Sequence, residues 1–402
     1  MEKKSKLHYF NPGHETAVLS GKVNYTPTTN VQKMQEDLAL LPCWYAQPDD
    51  LTIVKNSSIA ESYSSWLSKQ FHLFPRTISE SELHKEADKL SLEAFPWGLS
   101  PQSLHYFTRL KKKENLNLEI PEWIEKYKVL TGRQTAKTVL DLLKKDLTDM
   151  ELPGTPYFFS NLESLEKYTN THTPPFILKT PFSSSGRGLL WVYTINQKDK
   201  QWIEGAIRKQ GEISIEAALN KTMDFAMEFL SDGDGKVVYK GLSIFGTLDR
   251  GAYSGNILGN KSYRESFLLE HVDKQDLEKI KDSLEKILSE VYGNYYRGCI
   301  GVDMLLYLSN GKIQIHPCVE INMRQTMGMV ALYLSEHYVF PSSTGHFIVD
   351  FNNNPEENYK KHLERKRRYP LIIENRRIKS GYLSLCPIDK STKYSAYILI
   401  NE

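Results

Sequence analysis

Apolar and polar positions follow two rhythms along the chain. Short apolar runs bounded by turn residues predict strands, and apolar residues three and four apart predict helices. Residues 7–10 form a first strand that runs into the turn Asn11-Pro12-Gly13-His14. The next hundred residues mix short apolar runs (51–54, 71–74) with polar stretches, the pattern of a small α/β domain, and Phe95-Pro96-Trp97-Gly98 reads as a break. Ala136, Val139, Leu140, Leu143 and Leu147 then mark one face of a helix. Residues 176–179 and 188–193 predict a hairpin around the polar loop 183–187, and 213–216, 225–230 and 237–245 are further strands. Leu277, Ile280, Leu284, Ile287, Leu288 and Val291 predict a long helix with Asp273 as N-cap. Strands 299–308 and 312–321 flank Ser309-Asn310-Gly311, a strong hairpin signal. A basic helix at 359–368 and strands at 381–386 and 394–400 complete the pattern, and no repeat at a fixed period is visible.

Composition narrows the function classes. The chain has 402 residues, enough for two or three domains, with 40% hydrophobic and 25% charged residues. A net charge of +2 excludes a bulk polyelectrolyte partner as the default. No apolar run approaches the roughly 20 residues that span a bilayer, and the charged start does not read as a signal peptide. Cys43, Cys299, Cys318 and Cys386 form no Cys-x-x-Cys pair, so they are expected as free thiols of a cytoplasmic protein without structural zinc. The basic run Lys360, Lys361 and 365–368 lacks interleaved aromatics and reads as a solvated helix face. Neither nucleic acid nor membrane is expected as a partner.

The second strand of the Asn-Gly hairpin carries the most chemistry. Ile313, Ile315, Val319 and Ile321 alternate with Gln314, His316, Cys318, Glu320 and Asn322. Period two places Glu320, Asn322 and, if the strand continues, Arg324 on one face, with His316 and Cys318 on that same face. Asp303, seventeen residues before Glu320 on the partner strand, can lie beside it across the hairpin. Adjacent carboxylates with an amide oxygen suit Mg²⁺, which takes one or two carboxylates beside water and phosphate oxygens. The same residues also suit a surface ladder with an Asp–Arg salt bridge. Upstream, Lys179 ends a strand before Ser183-Ser184-Ser185-Gly186-Arg187-Gly188. Small residues there let backbone N–H groups and hydroxyls approach phosphate, although a plain flexible loop has the same composition. No Gly-Lys-Ser/Thr closes it, so it is not a P-loop.

Taken together, these stretches resemble the ATP-grasp superfamily of ATP-dependent ligases over roughly residues 131–328. The matching elements are Phe176-Ile177-Leu178-Lys179 with the loop 183–188, Glu216-Ala217-Ala218-Leu219, Gly301-Val302-Asp303 and Glu320-Ile321-Asn322-Met323-Arg324. The resemblance implies that Lys179 contacts the α and β phosphates and that Ser183, Ser184, Ser185, Gly186 and Gly188 close over the triphosphate. It implies that backbone of Ala217, Ala218 and Leu219 reads the adenine edge, with Glu216 near the amino group, and that Asp224 binds the ribose. Asp303, Glu320 and Asn322 become Mg²⁺ ligands (Mn²⁺ is an alternative ion), and Arg324 the group that stabilises transferred charge. Members often carry Gly-Asp-Lys before the linker helix. Here the stretch is Gly132-Arg133-Gln134-Thr135, so Arg133 keeps the charge with a different geometry. Lys240 and Asn256 are further phosphate or acceptor candidates. Asn11 and His14, at the carboxyl end of the first strand, are expected to line a substrate site, although a plain turn accounts for them too.

The expected fold is α/β (α+β): two ATP-grasp lobes preceded by a small Rossmann-like α/β domain. The expected divisions are 1–125 for the N-terminal domain, 126–240 for the small lobe, 241–370 for the large lobe and 371–402 for a β-rich tail. The expected activity is an ATP- and Mg²⁺-dependent, ADP-forming ligation of a small-molecule carboxylate to an amine. A small-molecule kinase and a non-catalytic ATP-binding module are the alternatives. Oligomeric state is not legible.

Overall fold

The structure is a computed structural model that describes residues 4–55, 57–71, 75–86, 91–183, 188–247 and 253–401. The chain divides into two compact units. One comprises residues 1–124, 254–264 and 327–402; the other comprises 125–253 and 265–326.

The first unit begins with a parallel α/β sheet. Its strands are β1 (Ser5–Tyr9), β2 (Leu51–Ile53), β3 (Arg76–Ile78), β4 (Leu92–Pro96) and β5 (Leu118–Glu119), in the order β3-β2-β1-β4-β5. The helices α1 (His14–Ser20), α2 (Thr29–Asp37), α3 (Ser57–Phe71) and α4 (Pro101–Lys113) connect them. Strand order reverses between β1 and β4, which is where such sheets open a crevice at their carboxyl ends. Phe95 and Pro96 correct the expectation of a break: they end β4, beside β1, and the turn begins at Trp97. Of the apolar run 71–74, Phe71 ends α3, and 72–74 lie outside the described residues.

The second unit carries α5 (Lys126–Thr131), α6 (Arg133–Asp146), β6 (Tyr157–Phe159), α7 (Leu162–Thr169), β7 (Phe176–Lys179), β8 (Leu189–Val192), α8 (Gln197–Gln210) and β9 (Ile213–Ala217). The strands make an antiparallel sheet in the order β6-β9-β7-β8, whose inner face packs Phe176, Leu178, Val192, Ile213 and Ile215 against Leu165 of α7 and Ile203 of α8. The long strands β10 (Asn220–Asp232) and β11 (Val237–Thr247) follow. Strand β12 (Tyr253–Leu258) and the start of α9 (Lys261–Leu269) pass through the first unit, and α10 (Lys274–Tyr292), back in the second, lays its buried Leu277, Ile280, Leu284, Ile287 and Leu288 inward. Asp273 holds the N-cap position of α10, but its side chain makes no capping bond. The hairpin β13 (Arg297–Ser309) and β14 (Lys312–Asn322) turns at Asn310 and Gly311, both at positive φ (49° and 76°). Strands β14, β13, β10 and β11 run antiparallel in that order.

The rest of the chain returns to the first unit. The helix α11 (Met327–Tyr333), strand β15 (Thr344–Phe351), helix α12 (Pro355–Arg368) and strands β16 (Ile372–Glu374), β17 (Arg377–Ser384) and β18 (Tyr394–Asn401) give the order β12-β15-β18-β17-β16. The basic helix α12 is anchored from its inner side: Arg365 lies 4.3 Å over the Tyr397 ring, and His362 and the Tyr382 hydroxyl are 2.8 Å apart. Among the described residues, no helix is long and apolar enough to cross a membrane.

Candidate active site in the second unit

Ladder register assembles the site. Ser243 (β11), Ala226 (β10), Asp303 (β13) and Glu320 (β14) form one row across four strands. Gly241, Glu228, Gly301 and Asn322 form the row two residues along, on the same face. Asp224, opposite Leu305 and Phe245, belongs to the next row on that face. The expectation that Asp303 lies beside Glu320 therefore matches the observed register.

The second row explains the Gly-x-Asp motif. A Cβ on Gly301 would meet Glu228 Oε2 at 2.9 Å and Thr326 Cγ2 at 2.8 Å, so the Glu228 side chain needs the space that glycine leaves. Glu228 is 1% exposed and accepts hydrogen bonds from Thr326 Oγ1 (2.8 Å) and Ser243 Oγ (3.1 Å). Both partners are neutral, and burial pushes its carboxyl up to about 7. The sequence reading gave Glu228 no role; a lone carboxylate inside the apolar run Phe225-Ala226-Met227-Glu228-Phe229 was the available signal. Burial, together with the nearby carboxylates of Glu320 and Glu228, likewise holds Asp303 well above the usual carboxylate range.

Register between β13 and β14 shifts between the Leu305–His316 pair and the Asp303–Glu320 pair. Pro317, Cys318 and Val319 span the irregularity. His316 and Glu320 oppose Leu305 and Asp303, two apart on β13, and so share a face, while Cys318 is buried within the irregular stretch with Sγ 3.5 Å from the Ala136 carbonyl of α6. Buried His316 has its pKa lowered to about 4 by desolvation and the nearby Lys179 charge, against the pull of Glu216. All four cysteines are buried and unpaired.

The phosphate-loop side is equally organised. Lys179, at the end of β7, forms an ion pair with Glu216 of β9. Burial pushes Glu216 up, but Lys179, His316 and Arg133 outweigh it and leave the carboxylate below its ordinary range. Arg133, the first residue of α6, is 8% exposed. It donates from Nε to the Thr180 carbonyl (3.0 Å), and from Nη2 to Ser183 Oγ (3.4 Å) and Glu320 Oε2 (3.1 Å). This side chain therefore ties the foot of the serine–glycine loop to the carboxylate row. Gly188 closes the loop: its carbonyl accepts from Thr180 N (2.9 Å), and a Cβ there would lie 2.2 Å from Thr180 Oγ1. Ser184, Ser185 and Gly186 lie outside the described residues.

The remaining candidates divide. Ala217 pairs with Phe176, Ala218 N–H donates to the Pro175 carbonyl, and the Leu219 carbonyl accepts from Lys221 N. Asp224 Oδ2 accepts from Lys221 Nζ (2.5 Å) and Thr247 Oγ1 (2.7 Å). Arg324 donates to Asn322 Oδ1 at 2.9 Å. Lys240 is exposed, at the irregularity where β11 slips against β10. Asn11, His14 and Asn256 belong to the first unit. The Asn11 amide bridges both backbone groups of Gly98, at 2.8 and 3.1 Å. His14 is buried against Gly98, with its Nε2 unpartnered. Asn256 is buried on β12, opposite Phe347.

Among the described residues, no group of three or more His, Cys, Asp or Glu side chains is placed to hold a metal ion. Asp303 and Glu320 in one row and Asn322 in the next offer two carboxylates and one amide oxygen on one face. That donor set is wrong for a caged structural metal and fits Mg²⁺, which keeps water and phosphate oxygens in its shell.

No protein-family model matches the chain. Among solved structures it is similar to N5-carboxyaminoimidazole synthetase from Staphylococcus aureus complexed with ADP (14% identity, TM-score 0.50, covering 100% of this chain and 94% of that one). It is also similar to biotin carboxylase from Campylobacter jejuni in a β,γ-ATP complex (13% identity, TM-score 0.54, 100% and 88% covered). A third is the biotin carboxylase domain of 2-oxoglutarate carboxylase from Hydrogenobacter thermophilus, with MgADP and bicarbonate (12% identity, TM-score 0.51, 99% and 87% covered). The likeness is one of fold, and the chain has the α/β ATP-grasp fold.

Proposed function

We propose that the chain is an ATP- and Mg²⁺-dependent ligase that joins a small-molecule carboxylate to an amine through an acyl phosphate and releases ADP and phosphate. The observation that supports the reading is that Arg133 joins Thr180 and Ser183, just after Lys179, to Glu320 on the Asp303–Glu320–Asn322 face inside one compact unit. Phosphoryl transfer needs fixed cations around the phosphates and acidic ligands for the metal, and little covalent chemistry from the protein.

On this reading, Lys179 and Arg133 bind phosphate oxygens, and residues 183–188 cover them. Residues 216–219 receive the base and Asp224 the ribose. Asp303, Glu320 and Asn322 would hold Mg²⁺, which when bound neutralises charge on the phosphates. Arg324 stabilises charge on the transferred group or on the tetrahedral intermediate. Asn11 and His14 are assigned to the carboxylate or amine substrate, and Lys240 and Asn256 to phosphate or acceptor contacts. Residues 126–240 would be the phosphate-loop lobe and 241–370 the metal lobe, with 1–125 and 371–402 flanking them in sequence. The similar proteins named above, with ADP, an ATP complex and MgADP with bicarbonate, support nucleotide use on this fold.

Incubation with ATP, Mg²⁺ and a panel of carboxylates and amines tests the proposal. ADP and phosphate should appear only when both substrates are present. AMP and pyrophosphate would contradict it, and a phosphorylated product that accumulates without amine would assign a kinase instead.

A further inference from the structure

Arg133 touches more than a phosphate-binding residue needs to. Its guanidinium is held by the Thr180 carbonyl, by Ser183 at the foot of the loop and by Glu320 on the carboxylate row. Glu320 Oε2, an oxygen that a metal would take, already has a cation 3.1 Å away. Asn322 Oδ1 is in the same position, 2.9 Å from the Arg324 guanidinium. Two of the three candidate metal ligands, Glu320 and Asn322, therefore each face a guanidinium. A divalent ion entering beside Glu320 meets the positive charge of Arg133 and competes for the same oxygen.

We propose that Arg133 is a positioning residue that acts through Glu320, holding it until a triphosphate supplies a competing anion. When phosphate oxygens arrive, the guanidinium has a second acceptor, Glu320 is released and the cation seat opens. Metal binding is thereby made conditional on nucleotide. The proposal rests on the ligase reading above and adds an order to it: nucleotide relieves the block on metal, and by linkage metal strengthens nucleotide binding by the same factor. Arginine suits this role better than lysine, because its planar fork reaches a backbone carbonyl, a hydroxyl and a carboxylate at once.

The two ligands respond with opposite sign, which separates this role from a merely structural one. Binding of Mn²⁺ alone is measured from the free-ion paramagnetic resonance signal. Binding of ATP alone, with chelator present, is measured by calorimetry. In Arg133→Gln, Mn²⁺ alone should bind on the order of tenfold more tightly than in the unaltered protein, because its competitor is gone, while ATP alone binds more weakly. Arg133→Lys should retain weak Mn²⁺ binding. Glu320→Gln provides an independent arm if Arg133→Gln does not fold: it frees the guanidinium, so metal-free ATP should bind more tightly than in the unaltered protein. Arg133→Gln that leaves Mn²⁺ affinity unchanged or weaker overturns the proposal, as does Glu320→Gln that leaves metal-free ATP affinity unchanged. If the unaltered protein binds no ATP with or without metal, the ligase reading falls first, and this inference falls with it.

Discussion

Replacing Glu228 by glutamine should stabilise the protein at neutral and alkaline pH. The carboxyl is 1% exposed, accepts among the described residues only from the hydroxyls of Thr326 and Ser243, and has its pKa raised by burial from 4.5 to about 7. The sign follows from proton counts. Between pH 4.5 and about 7 the folded chain keeps this proton while the unfolded chain releases it, so stability falls as pH rises through that window and is fully reduced above it. The gap is worth roughly 3 kcal/mol at about 1.4 kcal/mol per pH unit. Glutamine keeps the length, stays neutral at every pH and can both accept from and donate to hydroxyls. Its presence also removes one of the negative charges that lift Asp303, which acts in the same direction. Urea unfolding at intervals from pH 4.5 to 8.5 tests this. The variant should match the unaltered protein near pH 4.5 and exceed it by up to roughly 3 kcal/mol by pH 8. Other titrating groups are common to both proteins and largely cancel in the difference. Parallel stability curves, or a variant less stable throughout, would refute the reasoning.

Lys179→Met should cost about 3–5 kcal/mol of stability beyond any loss of nucleotide binding, because it strands the Glu216 carboxylate in a buried setting. The double variant Lys179→Met/Glu216→Leu should regain much of that stability in denaturant melts while nucleotide binding stays lost. Gly188→Ala puts a Cβ 2.2 Å from Thr180 Oγ1 and 2.5 Å from Ser183 Cβ. Overpacking of about 1–3 kcal/mol should spread the loop's foot and weaken ATP binding about five- to a hundredfold by calorimetry. Gly98→Ala drives a Cβ to 2.3 Å from His14 Cγ and disturbs the paired bonds to Asn11. Its melting temperature should fall, whereas Gly21→Ala is the contrasting control: nothing lies near its Cβ, and only its positive φ of 64° is strained.

The sequence made local order legible and long-range pairing much less so. Asn310-Gly311 specified the hairpin, but its turn alone would set Asp303 opposite Cys318; the register shift between Leu305 and Asp303 brings it to Glu320. Apolar spacing located α6 and α10 because helical contacts close within a few residues. The register shift itself was not legible: Pro317, a residue without a backbone donor, sits within it, and two extra residues on β14 leave His316 and Glu320 on one face. Phe95-Pro96 was misread for a related reason: proline ends β4 in a position that suits it, and composition alone resembles a turn. The Lys179–Glu216 ion pair depends on β7 lying beside β9, a pairing that no local pattern encodes.

Glu228 shows how the missing part was still present in outline. A carboxylate in the middle of β10 is costly unless its neighbours make room and supply hydrogen bonds. Room comes from Gly301 on one side and Gly241 on the other, and the bonds come from Ser243 and Thr326. The four residues are scattered over more than eighty positions, so only the ladder register joins them. The same register sets a small residue beside each of two acids of the face: Ala226 beside Asp303, Gly301 beside Glu228. Small side chains at those points keep the floor low enough for several carboxyl groups to fold onto it without steric conflict. What then limits the face is charge, and the protein answers it in two ways. Burial keeps Glu228 and Asp303 inclined to hold a proton, while Glu320 is met by the guanidinium of Arg133. A face balanced by exchangeable protons and a guanidinium can accept a multiply charged ligand by trading partners, which is less costly than stripping water from unpaired charges.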